Sequence, residues 1–388
     1  MGAAALRGRG QEPPPPQVNP AHLTNAGNVP PPHQPGPHMT PAPLNPVPSP
    51  KNTPHPPRTP VPADAAVLHR LTAKVTATAH PTGATCACPA PATQTLTHRP
   101  DATVVRHTNT VAKAHAPGTD PTELTLRLTT AARLPDILLA PLATIPAALE
   151  DRLVTFWPYG IPVNPDDPDA APWEAAATLL AHLHRTPLPT TSRFLLPPMR
   201  GPRKAARAIA RLRAALDTTC TPAAPPVLAA WCALPAWARA EAPMTGGSTT
   251  GGPTTLCHGD LHLGQLVRHP APHGPWRLID VDDLGPGVPA WDLARPAAWY
   301  ACGLLPPDEW ARFLEAYRTA EGPAVPRTGD PWPALDIPAR ALTVQTAALA
   351  LVKALAADRP LDEVEQALVD ACARMSSASP ELTNGFPK

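Results

Sequence analysis

Short apolar runs separated by turn residues predict a small sheet in the early part of the chain. β-Branched runs at 102–106 and 110–113 flank a His-Thr-Asn turn, the pattern of a β-hairpin in which Asn109 takes a positive φ. Two further apolar runs, at 137–142 and 152–156, predict additional strands. Apolar residues at helical spacing predict a short helix over 63–75, before the hairpin.

The pattern becomes helical beyond residue 157. Amphipathic or apolar segments predict helices over 173–185, 204–216, 308–318, 341–357 and 361–375. One more helix interrupts the predicted strands: Asp120 and Pro121 open it, and Glu123 lies in its first turn. A small sheet with an inserted helix, followed by a longer helical part, indicates an α+β protein.

Residues 1–61 have a different composition from the rest. The first 60 residues hold 19 of the 61 prolines and only five charged side chains. Such a segment buries too little apolar surface to offset its ordering entropy, so a disordered tail is predicted. Its P-x-x-P patterns fit an SH3-like partner, although they also arise by chance in so Pro-rich a segment.

Charge and cysteine usage exclude several classes of protein. A net charge of +1 argues against a nucleic-acid binder, and the basic residues over 200–213 predict a solvated helix face. Only Cys86 and Cys88 of the seven cysteines are close in sequence, which is a weak zinc pattern, so free thiols in a reducing, cytoplasmic compartment are expected. Segment 341–357 is too short to span a membrane and predicts a buried helix.

Residues 256–294 carry the chemistry. Two short strands, 266–267 and 276–279, are joined by a turn, and antiparallel pairing places Gln265 and Asp280 at the same end. Asp260 lies in the loop just before. Carboxylate and carboxamide oxygens suit a hard cation such as Mg²⁺, and a carboxylate beside it can accept a proton from an attacking hydroxyl.

Three ordered motifs in this stretch resemble the aminoglycoside phosphotransferase and choline kinase group of the protein-kinase-like superfamily. His-Gly-Asp-Leu-His-Leu-Gly-Gln at 258–265 is similar to the catalytic loop H-G-D-x-H-x-x-N. Ile-Asp-Val-Asp at 279–282 is similar to the metal-binding I-D-x-[DE], and 287–294 to the following G-x-P-x-x-D-L-A. Gln265 replaces the usual asparagine, as in the maltokinase branch with its H-L-G-Q loop.

The resemblance implies a bilobal protein-kinase-like fold. Residues 62–156 would form a β-rich nucleotide-binding lobe, and residues 157–380 a larger, mostly helical catalytic lobe. The implied activity is ATP- and Mg²⁺-dependent phosphoryl transfer to a hydroxyl of a small molecule. We expect no nucleic-acid or membrane partner, and a monomer or homodimer.

The resemblance also implies residue roles in the catalytic segment. Asp260 would orient or deprotonate the acceptor hydroxyl, with His258 bracing its loop and His262 contacting phosphate or backbone. Gln265 and Asp280 would hold Mg²⁺, with Asp282 as a second carboxylate ligand.

On the nucleotide side, Lys113 ends a Val-Ala-Lys strand pattern and would bind phosphate. Glu123 is its expected helix partner. The strand end at 152–157, with Val154 and Phe156, would be the hinge that meets the adenine. No glycine-rich loop precedes Lys113.

Structural or solvent-exposed positions are expected for the other polar residues of interest. Asp283 is expected to face solvent, Asp292 to tie a loop or cap a helix, and His182 and His184 to lie on a helix surface.

Two alternatives to a kinase stay open. One is a pseudokinase scaffold, favoured by Gln265 and the missing glycine loop. The other is a metal hydrolase that uses His258, Asp260 and His262 as ligands. For the acceptor, a sugar, an amino alcohol, an aminoglycoside-like compound and a specialised metabolite stay open.

Overall fold

The computed structural model describes residues 62–81, 86–88, 92–188, 196–242 and 254–377. The predicted tail 1–61 lies outside the described residues, and so do the glycine-rich positions 245–252. The described part of the chain has a β-sheet lobe followed by a helical lobe, which confirms the α+β, kinase-like fold class.

The N-terminal sheet has five strands, all antiparallel. They are β1 (Thr93–Arg99), β2 (Ala102–His107), β3 (Thr110–Ala114), β4 (Ala147–Leu149) and β5 (Arg152–Pro158). Their order is β1-β2-β3-β5-β4. The predicted hairpin is confirmed, with His107 opposite Thr110, but the positive φ of its turn falls on Thr108 rather than on Asn109.

The helix before the sheet covers one of its faces. This helix, α1 (Pro62–Ala79), extends beyond the predicted 63–75 and packs on β2 and β3. Together they bury a small core of Val67, Leu71, Val75, Val105, Ala112, Ala114, Leu149 and Val154. Because strand side chains alternate between faces, Lys113 lies on the face opposite Ala112 and Ala114.

Helix α2 (Pro121–Arg133) begins where the sequence predicted. The Asp120 side chain caps it by accepting hydrogen bonds from the backbone N–H groups of Thr122 (2.8 Å) and Glu123 (2.9 Å). The strand predicted at 137–142 was wrong. That segment forms one isolated parallel bridge, between Leu138 and Leu278, and does not join the five-stranded sheet as a strand.

In the described part of the chain, seven helices form most of the C-terminal lobe. They are α3 (Trp173–Arg185), α4 (Gly201–Leu216), α5 (Ala224–Ala233), α6 (Ala294–Ala301), α7 (Pro307–Thr319), α8 (Trp332–Ala356) and α9 (Glu363–Ser377). Helix α8 begins nine residues earlier than predicted, because Pro333 and Pro338 concealed its first turns. By length and composition it could cross a membrane, but 61% of its most apolar window is buried in the protein, as in a core helix.

Short strands in the C-terminal lobe carry the motif segments. They are β6 (Ile161–Pro162), β7 (Thr255–Cys257), β8 (Leu266–Arg268), β9 (Trp276–Leu278) and β10 (Gly285–Gly287). β7 pairs with β10, and β8 pairs with β6 and β9. The predicted hairpin of β8 and β9 is confirmed, and it brings the backbones of Gln265 and Ile279 into hydrogen-bonding contact (2.9 Å).

Candidate active site

A buried carboxylate fixes the loop that follows β7. Asp292 accepts hydrogen bonds from the backbone N–H groups of His258 (2.6 Å) and Gly259 (2.7 Å). Both oxygens of this fully buried side chain are therefore used to hold the loop. The expectation that Asp292 ties the loop is confirmed.

The buried residues that hold Asp292 in place were not predicted from the sequence. His184 was expected on a helix surface, but it is buried and contacts Asp292 through Nε2 (3.0 Å). Its Nδ1 faces the Tyr317 hydroxyl at 2.7 Å, and that oxygen accepts the Ala324 N–H at 3.0 Å. Burial raises the pKa of Tyr317, so the hydroxyl stays protonated and able to donate. His182, two residues earlier and therefore on the opposite side of the helix, is exposed as expected.

Glycine is required at the second position of the loop. Gly259 has a φ of +85°, and a Cβ there would lie 2.6 Å from the Asp283 carbonyl oxygen. The close approach of these two backbone segments places Asp260 beside the chain that carries Asp280 to Asp283. The motif glycine thus sets the distance between the loop and the carboxylate cluster.

Asp260 lies between two cations. Lys204 Nζ is 2.6 Å from its Oδ2, and an Arg295 guanidinium nitrogen is 2.8 Å from its Oδ1. Burial opposes ionisation, but the charges of Lys204 and Arg295 outweigh it and hold the pKa of Asp260 below its usual value. Asp260 is therefore a carboxylate at neutral pH, and it is a weak base.

Lys204 and Arg200 do not belong to the solvated helix face on which sequence analysis placed them. Lys204 also contacts Asp283 (2.8 Å), which was expected to face solvent but is buried. Burial raises the pKa of Asp283 despite the nearby Lys204. The prediction is confirmed for the remaining arginines of α4, all exposed: Arg203, Arg207, Arg211 and Arg213.

The two histidines of the loop have different partners. His258 donates from Nε2 to the Ile279 carbonyl oxygen at 2.8 Å, which ties the loop to the end of β9. His262 accepts the Gly264 N–H at Nδ1 (3.1 Å). Burial, together with the positive charge of Arg295, lowers the pKa of His262 to about 4, so its ring is neutral at neutral pH.

The three predicted metal ligands converge. Gln265 Nε2 lies 3.4 Å from Asp280 Oδ2, and Asp280 and Asp282 share one cationic partner. Asp280 has a φ of 64°, a left-handed conformation that costs free energy outside glycine and that Asp tolerates better than most residues. This backbone turn starts the short helical segment that carries Asp282.

That shared partner is Lys113, which reaches across from β3. Its Nζ is 2.7 Å from Asp280 Oδ1 and 2.9 Å from Asp282 Oδ2. Burial alone would lower the pKa of Lys113, but the two carboxylates raise it above its ordinary value. Lys113 also holds the pKa of Asp282 well below its usual range, against the effect of burial.

The predicted pairing of Lys113 with Glu123 was wrong. Glu123 Oε2 instead contacts Arg200 (2.9 Å) and Arg127 (3.0 Å). Arg127 is buried and donates through Nε to the Leu284 carbonyl oxygen, so it joins α2 to the segment after the carboxylate cluster. The hydrogen bond from Arg200 is the largest effect that lowers the pKa of Glu123.

His115 is a further residue that sequence analysis missed. It directly follows β3, two positions after Lys113, and its N–H still donates to the Leu153 carbonyl oxygen of β5 (2.8 Å), so its side chain continues the strand alternation on the side of Lys113. Its Nδ1 is 3.3 Å from Asp282 Oδ2, and its Nε2 is 2.9 Å from Thr155 Oγ1 on β5. The alternation of the strand was the signal that could have identified it.

The predicted hinge residues, Val154 and Phe156, both lie on β5. Val154 is buried in the small core and paired on both sides, opposite Ala114 and Ala147. The Phe156 carbonyl oxygen accepts the Leu142 N–H at 2.8 Å. On the opposite side of the lobe, a turn at Pro100 and Asp101 joins β1 to β2, so this connection contains no glycine.

With this geometry in view, the family model of the phosphotransferase enzyme family matches residues 111–332. That span is more than half of the chain and includes Lys113, Asp260 and Asp280. The chain therefore belongs to the phosphotransferase enzyme family, and its class is that of the small-molecule kinases. The resemblance found in the sequence is confirmed. No curated protein matches the chain.

Several solved structures are similar in architecture. A choline/ethanolamine kinase family protein from Mesorhizobium loti is 16% identical, with 82% of this chain and 97% of that chain covered and a TM-score of 0.48. A choline kinase from Streptococcus pneumoniae is 13% identical, with 79% and 99% covered and a TM-score of 0.47. A macrolide 2'-phosphotransferase from Brachybacterium faecium is 16% identical, with 80% and 99% covered and a TM-score of 0.42.

The neutral state of His262 predicts a pH dependence of stability. An unfolded histidine is protonated below about pH 6.5, whereas His262 in the folded protein stays neutral down to about pH 4. The unfolded state binds more protons in this window, so stability falls as the pH drops through it. We expect His262→Gln to lose less thermal stability than the parent between about pH 7 and pH 5. His182→Gln on the exposed face of α3 is the control, and equal losses in all three proteins would contradict the assignment.

Proposed function

We propose that this protein transfers the γ-phosphoryl group of ATP to a hydroxyl of a small molecule, with Mg²⁺ as cofactor. The observation that carries the proposal is the meeting of Lys113 with Asp280 and Asp282, beside the loop that holds Asp260. A cation from the sheet lobe and two carboxylates from the helical lobe are the groups that phosphoryl transfer requires from a protein. We assign residues 62–156 to nucleotide binding and residues 157–380 to catalysis and acceptor binding.

The residues present fit Mg²⁺. Asp280 and Asp282 supply carboxylate oxygens, and Gln265, whose Nε2 faces Asp280 here, would add its amide oxygen if the amide turned over; a hard cation prefers such an all-oxygen donor set. The Lys113 ammonium already bridges the two carboxylates, so this position accepts a positive charge. Bound there, Mg²⁺ would neutralise phosphate charge. Gln265 keeps the amide oxygen of the usual asparagine, on a side chain one methylene longer.

Lys113 fits the role of phosphate ligand on the nucleotide side. Its side chain is held at the junction of the two lobes by hydrogen-bonded ion pairs with Asp280 and Asp282, and a phosphate can compete with these carboxylates for it. We place the adenine at the end of β5, where Val154 and Phe156 set the path of the backbone into the second lobe. The backbone leaves the sheet two residues later, after Pro158.

Asp260 would bind and orient the acceptor hydroxyl. Its low pKa makes it a poor proton acceptor in the ground state. Phosphoryl transfer tolerates this, because its loose transition state needs positioning and charge stabilisation more than early deprotonation. His258 acts through the loop, since its Nε2 is bonded to backbone. The neutral His262 can hydrogen-bond to a phosphate or an acceptor from Nε2.

The cations beside Asp260 influence which charge class of acceptor can bind. Lys204 and Arg295 lie within 3 Å of the Asp260 oxygens, and Arg200 is held nearby by Glu123. Both oxygens of Asp260 are therefore already paired with cations of the protein, and an ammonium group of an acceptor would have to displace one of them. We therefore favour a neutral or acidic hydroxyl compound, such as a sugar, over an amino alcohol or an aminoglycoside.

The pseudokinase scaffold, which would bind a nucleotide without turnover, is the alternative that specific observations support. Both oxygens of Asp260 are bonded to cations, and the β1–β2 turn lacks glycine, as in a nucleotide-binding scaffold without turnover. The hydrolase alternative has less support, because His258 Nε2 donates to the Ile279 carbonyl oxygen and Asp260 faces ammonium and guanidinium groups.

All seven cysteines are free, which fits a reducing compartment with ATP, and we place the enzyme in the cytoplasm.

The decisive experiment for the proposed function is a turnover assay. The full chain is incubated with ATP or GTP, Mg²⁺ and panels of neutral, acidic and cationic hydroxyl compounds, and products are analysed by mass spectrometry. We expect one panel to gain a phosphoryl group in a Mg²⁺-dependent reaction. Nucleotide binding without any phosphorylated product, over panels of all three charge classes, would support the scaffold instead.

A further inference from the structure

Four metal-ligating side chains meet at the edge of the N-terminal sheet, apart from the catalytic segment. They are His80, Cys86, Cys88 and His107. His80 directly follows α1, and His107 ends β2. The two cysteines lie in the connection between α1 and β1. The four ligand atoms all lie within 4.8 Å of one another.

Four of the six distances between these atoms are close to the edges of a tetrahedron. The two histidine Nε2 atoms are 3.0 Å apart. The sulfur of Cys86 is 3.5 Å from His80 Nε2 and 3.4 Å from His107 Nε2, and that of Cys88 is 3.4 Å from His80 Nε2. With Zn–S of about 2.3 Å and Zn–N of about 2.0 Å, tetrahedral geometry requires N···N near 3.3 Å and N···S near 3.5 Å.

A hydrogen-bonded partner fixes the orientation of one histidine. Thr93 Oγ1 lies 2.7 Å from Nδ1 of the buried His107. This contact leaves Nε2 as the atom that faces the two cysteines. An outer hydrogen bond of this kind on the second ring nitrogen is characteristic of metal-binding histidines, because it sets the ring orientation and the tautomer.

We propose that His80, Cys86, Cys88 and His107 form a structural zinc site. Two thiolates and two imidazoles are the donor set of closed tetrahedral sites, and they select Zn²⁺ over hard cations. The site is chemically distinct from the all-oxygen cluster of Asp280 and Asp282. The sequence did not reveal it, because the second ligand pair consists of histidines 27 residues apart.

Zinc here would join three segments of the small lobe: the end of α1, the connection after it and the β2–β3 hairpin. Among the described residues, the core between α1 and the sheet contains eight buried apolar side chains, which is small for an independent unit. His107 pairs with Thr110 on β3, about 10 Å along that strand from Lys113. The metal would therefore stabilise the sheet that presents Lys113, since binding free energy at such sites is folding free energy.

The test is the metal content of the purified full chain, measured by inductively coupled plasma mass spectrometry. We expect one zinc per chain in the parent and none in the double variant Cys86→Ser/Cys88→Ser or in His107→Asn. The matched control is Cys220→Ser/Cys232→Ser, which removes two exposed cysteines elsewhere and should keep one zinc.

A second measurement does not depend on the variants folding. Co²⁺ added to the parent chain after chelation should give the visible absorption of a tetrahedral cobalt–thiolate centre at one equivalent, and zinc removal should lower Tm. A parent chain that purifies without zinc and binds neither Zn²⁺ nor Co²⁺ at one equivalent would overturn the proposal. A disulfide between Cys86 and Cys88 in the freshly purified parent would overturn it as well.

Discussion

Replacing Asp260 with asparagine is expected to lower kcat by about 10³-fold or more while the protein stays folded. The change keeps the shape of the side chain and removes its charge. A hydroxyl would lose both its proton acceptor and the negative charge that orients it, and Arg295 would lose its carboxylate partner. Lys204 keeps Asp283, so the loop should hold its position.

Single-turnover kinetics with the acceptor found in the screen would measure this loss, with thermal unfolding as the check on folding. Asp370→Asn, on the exposed side of α9, is the control and should leave kcat unchanged. MgATP binding should survive in Asp260→Asn, since Lys113 and the other carboxylates are untouched. If Asp260→Asn kept more than a tenth of the parental kcat, Asp260 would not be the acceptor-orienting residue.

The largest effect on stability is expected at Asp292. Asp292→Ala removes a fully buried carboxylate that accepts two backbone N–H groups and contacts His184. Donors left unsatisfied in a buried site cost about 1–3 kcal/mol each. We therefore expect the free energy of unfolding to fall by at least about 3 kcal/mol, which corresponds to a Tm lower by several degrees.

Asp120→Ala is a matched control for this prediction. Asp120 also accepts two backbone N–H groups, from Thr122 and Glu123, but these bonds are exposed. Loss of such a helix cap should cost about 1 kcal/mol. Chemical denaturation of the three proteins would give the comparison. Equal losses in the two variants would show that burial of the Asp292 network adds nothing to stability.

Local pattern determined much of what could be predicted. The hairpin of β2 and β3, the capped start of α2 and the hairpin that aligns Gln265 with Asp280 all depend on residues close in sequence. Turn chemistry and alternation act over such distances, so the sequence contains the information. The motif residues around Asp260 were identified for the same reason.

The partners of the site residues could not be predicted, because they are distant in sequence. Lys204 lies 56 residues before Asp260, and His184 lies 108 residues before Asp292. The Lys113–Glu123 pairing failed because Glu123 had two arginines within reach, one of them the residue that precedes α4. Such choices depend on how helices pack, which no local pattern specifies.

The central claim is that Lys113, Asp280 and Asp282 form a working site for a nucleotide and Mg²⁺. Thermal unfolding of the full chain with ATP, with and without Mg²⁺, tests it most directly. A ligand at a hundredfold over its Kd adds about 2.7 kcal/mol to the free energy of unfolding. We predict a Mg²⁺-dependent rise in Tm in the parent and in Asp370→Ala, and its loss in Asp280→Ala. No rise in the parent at millimolar ATP and Mg²⁺, or an equal rise in Asp280→Ala, would contradict the account.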